Sequence, residues 1–217
     1  MEAIGPRKFL RSQVDYNKLL FYQKADALYQ MTVVFCRRFL PRSGDRTVDQ
    51  MVQAARSGKQ NVAEACADGV VSLESALKLM NVARGSLVEL REDYRDFLNA
   101  RKLLLWTWEY PGFNAMMKEC RTKNRYVEFE PFLERWSPEQ FANYAITLCR
   151  ITEKMMTSYL QAMERDFLQN GGIRERMASA RLNVRQSQTQ EIYALKQKIE
   201  RLEEELNQLR KSRNLEI

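Results

Sequence analysis

The chain has 217 residues, of which 45% are hydrophobic, so it is long enough for one domain with an appendage or for two small domains. It contains no histidine, which excludes Ser-His and Cys-His nucleophile activation, histidine general bases and the Glu-x-x-His ligands of di-iron bundles. The 35 lysines and arginines against 28 acidic residues give a net charge of +7, which favours contact with polyanions, although acids and bases are interspersed.

Only 8 glycines and 5 prolines interrupt the chain, which indicates long helices because β-rich chains need frequent turn residues. No run of about 18 uncharged apolar residues is present, and the N-terminus lacks the apolar core of a signal peptide. We therefore expect a soluble, cytoplasmic protein. The 4 cysteines are scattered without a CxxC pair, which predicts buried thiols rather than bridges or ligands. No metal or cofactor is predicted.

The first helix is predicted over residues 14 to 40, where apolar residues recur at three- and four-residue spacing. Pro41 and Gly44 end it, and Thr47 with Gln50 has the form of a capping box that starts a second helix. Four basic residues near this junction form either a solvated helix end or a nucleic-acid contact. They are Arg37, Arg38, Arg42 and Arg46.

The second helix, from Thr47 to Gly69, is rich in alanine and predicts close packing against neighbouring helices. Polar Gln53, Asn61 and Glu64 lie among the small residues, and such side chains usually hydrogen-bond across helices and fix one register. This segment is therefore interpreted as the packing helix around which the chain is arranged. Glu64 and Asp68 lie one turn apart, but no supporting base accompanies them, so no catalytic residue is predicted.

Ser72 is expected to cap a third helix that can extend to about residue 108, and short loops favour antiparallel neighbours. Ser137, Pro138 and Gln140 form a strong start for a fourth helix, which ends before Gly171. The predicted fold is all-α: an antiparallel four-helix bundle with an aromatic-rich insertion before the fourth helix.

The insertion covers about residues 103–136 and contains all three tryptophans. It either covers one end of the bundle and buries its rings, or presents exposed rings that stack bases or bind a partner. Basic residues between the aromatics keep the second interpretation open. They are Lys118, Arg121, Lys123 and Arg125.

The C-terminal segment has apolar residues at alternating spacings of three and four, which predicts a coiled coil. They are Ile192, Leu195, Ile199, Leu202, Leu206 and Leu209. In a parallel assembly, flanking charges of opposite sign would face each other, and the apolar pattern leans toward two strands. The alternative is an isolated charged helix that packs on its own bundle. Four arginines precede the coil as a possible nucleic-acid contact. They are Arg174, Arg176, Arg181 and Arg185.

Two sequence steps carry a family resemblance: Ala54 to Glu64 in the second helix, and Asn81 to Leu90 in the third. The chain resembles the bacterial four-helix-bundle family of proteins encoded in intervening sequences of ribosomal RNA genes, as a variant with a C-terminal extension. Relatives form ring-shaped oligomers, often pentamers, and a related retroelement accessory protein binds nucleic acid. The resemblance implies a scaffold in which Ser57, Asn61 and Glu64 tie helices or subunits together. A five-fold ring and a two-stranded coil differ in symmetry.

Together these patterns predict a bundle over residues 1–170 and a coiled-coil tail over 171–217. The expected function is that of a non-enzymatic homo-oligomeric scaffold that contacts RNA or DNA through basic surface. The alternative is a protein–protein interaction scaffold without a nucleic-acid role. An enzyme is a distant third.

Overall fold

A computed structural model describes residues 14–40, 46–69 and 72–213 of the chain. Helices make up most of this part, and no strand occurs among the described residues. The described residues divide into two units that meet in the sequence between Asn170 and Gly171.

The first three long helices are α1 (Leu20–Phe39), α2 (Arg46–Asp68) and α3 (Leu73–Ala100). α1 begins later than predicted, because the Asp15 side chain accepts a hydrogen bond from the Asn17 amide at 3.1 Å and starts a separate 3-10 turn. Ser72 caps α3 as predicted, accepting from the Ser75 amide at 3.1 Å. α3 ends at Ala100 and does not reach residue 108, and Lys102 takes a positive φ of 54°.

The segment after α3 contains two short helices, α4 (Phe113–Thr122) and α5 (Glu130–Leu133). The long helix α6 (Pro138–Asn170) follows, and the predicted cap is confirmed because the Gln140 amide donates to Ser137 Oγ at 3.1 Å. Gly171 has a φ of 67°, in the left-handed region that glycine adopts without strain.

The first unit has one core, to which α1, α2, α3 and α6 all contribute. Aromatic rings meet where α1 and α3 approach their C-terminal ends and α6 begins: the Phe35 ring of α1 lies 4.8 Å from Tyr94, 4.7 Å from Phe97 and 5.3 Å from Phe141. Edge-to-face ring pairs of this kind contribute roughly 0.5–1.5 kcal/mol beyond the area they bury. The ring cluster therefore joins α1, α3 and α6.

The alanine-rich helix α2 packs its small residues against α1 and α3. Ala55, Gly58 and Val62 are buried, while Gln53 and Glu64 on the opposite side are exposed. A Cβ added at Gly58 would lie 2.8 Å from Leu87 Cδ2, so this glycine permits the close approach of α2 to α3. The prediction that this segment is a buried packing helix is confirmed for that face.

The second unit contains the helix α7 (Ile173–Arg213), which is 41 residues long. Every described side chain from 181 to 210 is exposed. The apolar residues of the predicted heptads are among them, with exposed fractions between 48% at Leu206 and 71% at Leu209. α7 therefore presents an uncovered apolar stripe along its C-terminal half.

Candidate nucleic-acid interface

The sequence steps that carry the family resemblance meet at a polar contact between α2 and α3. Ser57 Oγ lies 2.8 Å from Ser86 Oγ, and Asn61 Nδ2 donates to the Ser57 carbonyl at 2.9 Å and to its hydroxyl at 3.0 Å. Ser86 also donates to the Val82 carbonyl at 3.1 Å. These bonds satisfy half-buried polar groups and align the two helices.

Glu64 was predicted to tie helices or subunits together, like Ser57 and Asn61, and the structure places it outside the contacts between helices. Its side chain is exposed, and no hydrogen bond or ion pair joins it to another described residue. Glu64 lies six residues after the buried Gly58, which turns it about 120° around the helix axis and away from the face that packs on α3. Of the three motif residues, Ser57 has the described hydrogen bond to α3, and Asn61 supports it from within α2.

Lys24 is a buried cation that the sequence analysis did not single out. Its amino group donates to the carbonyls of Cys120 and Lys123, each at 2.6 Å, at the C-terminal end of α4. Burial lowers the pKa of this amino group, while the nearby Glu128 acts in the opposite direction. A cation at a helix C-terminus pairs with orphan carbonyls, so Lys24 fastens α4 to α1. Its signal in the sequence is a lysine inside the apolar stripe of α1.

α3 and α6 share an ion pair close to the core. Arg91 Nη1 donates to both carboxylate oxygens of Glu153, at 3.0 and 2.7 Å. Burial raises the pKa of Glu153 and the neighbouring guanidinium opposes that shift. Because both charges are mostly covered and mutually paired, this site serves packing and offers no free acid or base.

Two side chains at the start of α6 hold the connection between α3 and α4. The buried Asn143 accepts from the Trp106 amide at 2.7 Å and donates to the Leu104 carbonyl at 2.8 Å. Glu139 accepts from the Leu104 amide at 3.0 Å and from Trp106 Nε1 at 2.9 Å. These bonds replace the backbone pairing that a helix through residues 103–106 would have supplied.

The rings of the aromatic insertion divide between the two interpretations. Trp136 and Phe129 are buried in the core, and Trp106 is half-buried and stacks on Tyr110 at 4.1 Å between centroids. Trp108 is 77% exposed and Phe132 is 44% exposed. The insertion thus buries part of its aromatic surface and leaves part accessible.

The basic cluster near the end of α1 is partly used by the fold. Arg38 is half-buried and its guanidinium donates to the carbonyls of Leu133 and Trp136, so the predicted phosphate contact at Arg38 conflicts with its structural use. Arg37 is exposed and pairs with Glu134 at 2.7 Å, a surface contact that is worth only about 0–1 kcal/mol. Arg46 is exposed, and Arg42 lies outside the described residues.

Of the basic residues in the insertion, Lys118, Arg121 and Arg125 are exposed. Lys123 is half-buried: its amino group lies 2.7 Å from Glu119 Oε2 and 4.4 Å from the Phe132 ring centroid. Its cation is thus shared between a carboxylate and a ring, which leaves it poorly placed for the phosphate contact that was predicted.

The four arginines at the start of α7 also differ in their exposure. Arg174, Arg181 and Arg185 are exposed. Arg176 is half-buried, donates to the Gly171 carbonyl at 3.4 Å and has its Nε buried without a hydrogen-bond partner. The exposed three keep free guanidinium surface, which is what phosphate binding requires.

The groups that support covalent or metal chemistry are placed for packing. All 4 cysteines are buried free thiols, and burial raises the pKa of Cys120 to about 12, so a reactive thiolate is disfavoured there. Among the described residues, no group of three acidic or cysteine side chains is arranged to hold a metal ion. No described helix is both long and apolar enough to span a bilayer.

Comparison of the chain with models of known protein families, with curated proteins and with solved structures finds no match.

Proposed function

We propose that this protein is a non-enzymatic, self-associating helical scaffold that contacts RNA or DNA through its basic surface. The single observation that carries the proposal is α7, where exposed arginines precede an uncovered apolar stripe on one helix. The stripe supplies a surface for assembly, and the arginines supply guanidinium groups for phosphates.

The first unit is proposed to be an antiparallel four-helix bundle of α1, α2, α3 and α6, with α4 and α5 in the insertion. Contacts between early and late residues support this arrangement. Phe21 lies 5.1 Å from Tyr159 between ring centroids, whereas Phe35, later in α1, meets Phe141 at the start of α6. The proposed kinship with the intervening-sequence proteins rests on the same helices and on the Ser57 contact with α3.

Self-association is proposed to run through a parallel coil of α7. Most helix stability in proteins comes from packing of an apolar face, so the 41-residue α7 gains stability when a partner covers its stripe. Burying an exposed Ile or Leu contributes up to roughly 1.5–3 kcal/mol, and the stripe repeats this at each heptad. In a parallel pair, Glu191 would face Lys196, and Lys198 would face Glu203. Opposite charges beside the stripe select a second copy of this chain over an unrelated helix.

The number of strands is a separate part of the proposal. The apolar pattern of α7 favours two strands, while the family resemblance favours a pentamer. Mass measurement of the intact protein and of a version that ends at Gln169 distinguishes them. If removal of α7 leaves the number of chains in the assembly unchanged, α7 does not set the assembly.

The second candidate is a protein–protein interaction scaffold with no nucleic-acid role, and the exposed apolar side chains of the insertion favour it. Trp108 is 77% exposed and Val127 is 63% exposed, and accessible apolar surface of this kind commonly binds proteins. Measuring the affinity for a mixed pool of RNA and DNA at increasing salt concentration separates the two candidates. Binding that weakens steeply as salt rises supports the first proposal, and no affinity at low salt removes it.

A further inference from the structure

The heptad register of α7 continues beyond the apolar stripe toward the N-terminus of the helix. With Ile192 at position a and Leu195 at position d, one of these two positions falls on arginine in each of the three preceding heptads, and the other falls on Gln188, Ala178 or Gly171. Arg185 occupies a, and Arg181 and Arg174 occupy d. All three side chains are exposed. We call these three residues the arginine seam.

Helix geometry places the arginine seam on one face. Residues four, seven and eleven positions apart lie within about 40° of each other around a helix that turns every 3.6 residues. At about 1.5 Å per residue, the seam covers roughly 16 Å along the axis. The face of α7 that carries apolar residues from Ile192 onward therefore carries the arginine seam on the N-terminal side of Gln188.

Two chains that coil through the apolar stripe would bring their arginine seams opposite each other. Like charges cannot be buried together at a and d positions, because each guanidinium would lose its hydration against another cation. The tight coil therefore ends near Gln188, and the two basic segments diverge as a pair of arms. Between Ile173 and Gln190 the only acidic residue is Glu175, so the arms keep a strong positive field.

We infer that the paired arginine seams form a binding site for the phosphate backbone of double-stranded DNA. This inference rests on the proposed function and assigns its partner and its site. A parallel pair of helices has a two-fold axis, which matches the dyad that relates the two strands of a duplex. The major groove of B-form DNA admits an α-helix, whereas the deep, narrow major groove of A-form RNA does not.

The test measures binding of the full-length protein to a duplex DNA over a range of salt concentrations. Six seam guanidiniums on six phosphates give a slope of log K against log salt of about −5. Arg181→Gln with Arg185→Gln removes four of these charges from each pair of chains. The slope then falls in magnitude by about 3.6, and affinity near 0.1 M salt falls on the order of 1,000-fold.

A matched control removes the same number of positive charges from helices other than α7. Arg84 and Arg150 are exposed on α3 and α6, and neither lies on α7. Arg84→Gln with Arg150→Gln is expected to change the affinity less than about threefold, since distant charges act only through the screened field. Arg181→Lys with Arg185→Lys retains the charge and is expected to retain most of the slope.

A third variant tests the register independently of nucleic acid. Arg181→Leu with Arg185→Leu places apolar side chains at the d and a positions that precede Gln188. It is expected to raise the thermal midpoint of the α7 coil while DNA binding is lost. If the midpoint does not rise, these arginines do not lie on the seam and the inference fails.

The outcomes separate this inference from the proposed function. If the wild-type protein binds nucleic acid but the Gln variant binds duplex DNA with an unchanged slope of log K against log salt, the arginine seam is not the binding site. The proposed function then stands. Tighter binding to single strands or to duplex RNA than to duplex DNA also overturns the inference. Absence of binding to any nucleic acid at low salt overturns both.

Discussion

Gly58 gives the most direct test of how α2 packs. Replacing it with alanine puts a methyl group 2.8 Å from Leu87 Cδ2 and 3.1 Å from Leu87 Cγ. Leu87 is fully buried, so its side chain has no open space to rotate into. We expect the new methyl group to push α2 and α3 apart or to force Leu87 out of its rotamer.

Two opposing effects set the magnitude. Alanine is favoured over glycine in a helix interior by about 0.5–1 kcal/mol. Overpacking a buried contact costs about 1–3 kcal/mol. Gly58→Ala should therefore destabilise the protein by roughly 0.5–2 kcal/mol. Gly85 is the matched control, because it also lies in a helix interior, that of α3, but a Cβ there meets nothing within 4 Å. Gly85→Ala should stabilise the protein by about 0.5–1 kcal/mol.

The assay is urea unfolding followed by far-ultraviolet circular dichroism, at one fixed protein concentration because assembly shifts apparent stability. A double-mutant cycle isolates the contact. Leu87→Ala alone should cost about 2–5 kcal/mol. In that background Gly58→Ala should become neutral or stabilising, since the methyl group fills the space that Leu87 leaves. The reasoning is refuted if Gly58→Ala stabilises the wild-type protein as much as Gly85→Ala does.

Three further substitutions test other contacts. Lys24→Met leaves the carbonyls at the C-terminal end of α4 without their cation and should lower the free energy of unfolding in urea by about 1–3 kcal/mol. As a control, Lys118→Met at an exposed site should change it by less than about 0.5 kcal/mol. Asn143→Ala should raise hydrogen exchange at the Trp106 amide, and unchanged protection would contradict the described bond. Burial, with the neighbouring carboxylates, raises the pKa of Asp93 from 3.8 to about 6. Its ionised form therefore opposes folding, so Asp93→Asn should stabilise the protein by up to roughly 1 kcal/mol above pH 6, and this gain should vanish near pH 4. Equal stability of the Asp93→Asn variant and the wild type at neutral pH would contradict that sign.

The parts of the fold that short-range patterns determine could be predicted from the sequence. The caps at Ser72 and Ser137 depend on residues within one turn, and both form as expected. The predicted end of α3 was wrong because it depends on a long-range contact. The apolar residues after Ala100 continue a helical pattern, but Asn143, almost forty residues further along, holds them in a non-helical connection.

The candidate interface was predictable only in part, for the same physical reason. Arginines and lysines near one another in sequence suggest a basic surface, but their use depends on distant acceptors. Arg38 finds the carbonyls of Leu133 and Trp136, and Lys24 finds those of α4. No local pattern reveals such partners. The heptads of α7 are local, and the structure shows their apolar residues exposed.

The central claim is that α7 joins copies of this chain through its apolar stripe, and native mass spectrometry tests it most directly. Leu195→Lys with Leu202→Lys places charge at two d positions, while Ala194→Lys with Gln197→Lys adds the same charge on the outer side of the helix. We expect the wild-type protein and the outer variant to share one oligomeric mass, and the d-position variant to lose it. A monomeric wild-type protein, or one oligomeric mass for all three proteins, would contradict the account.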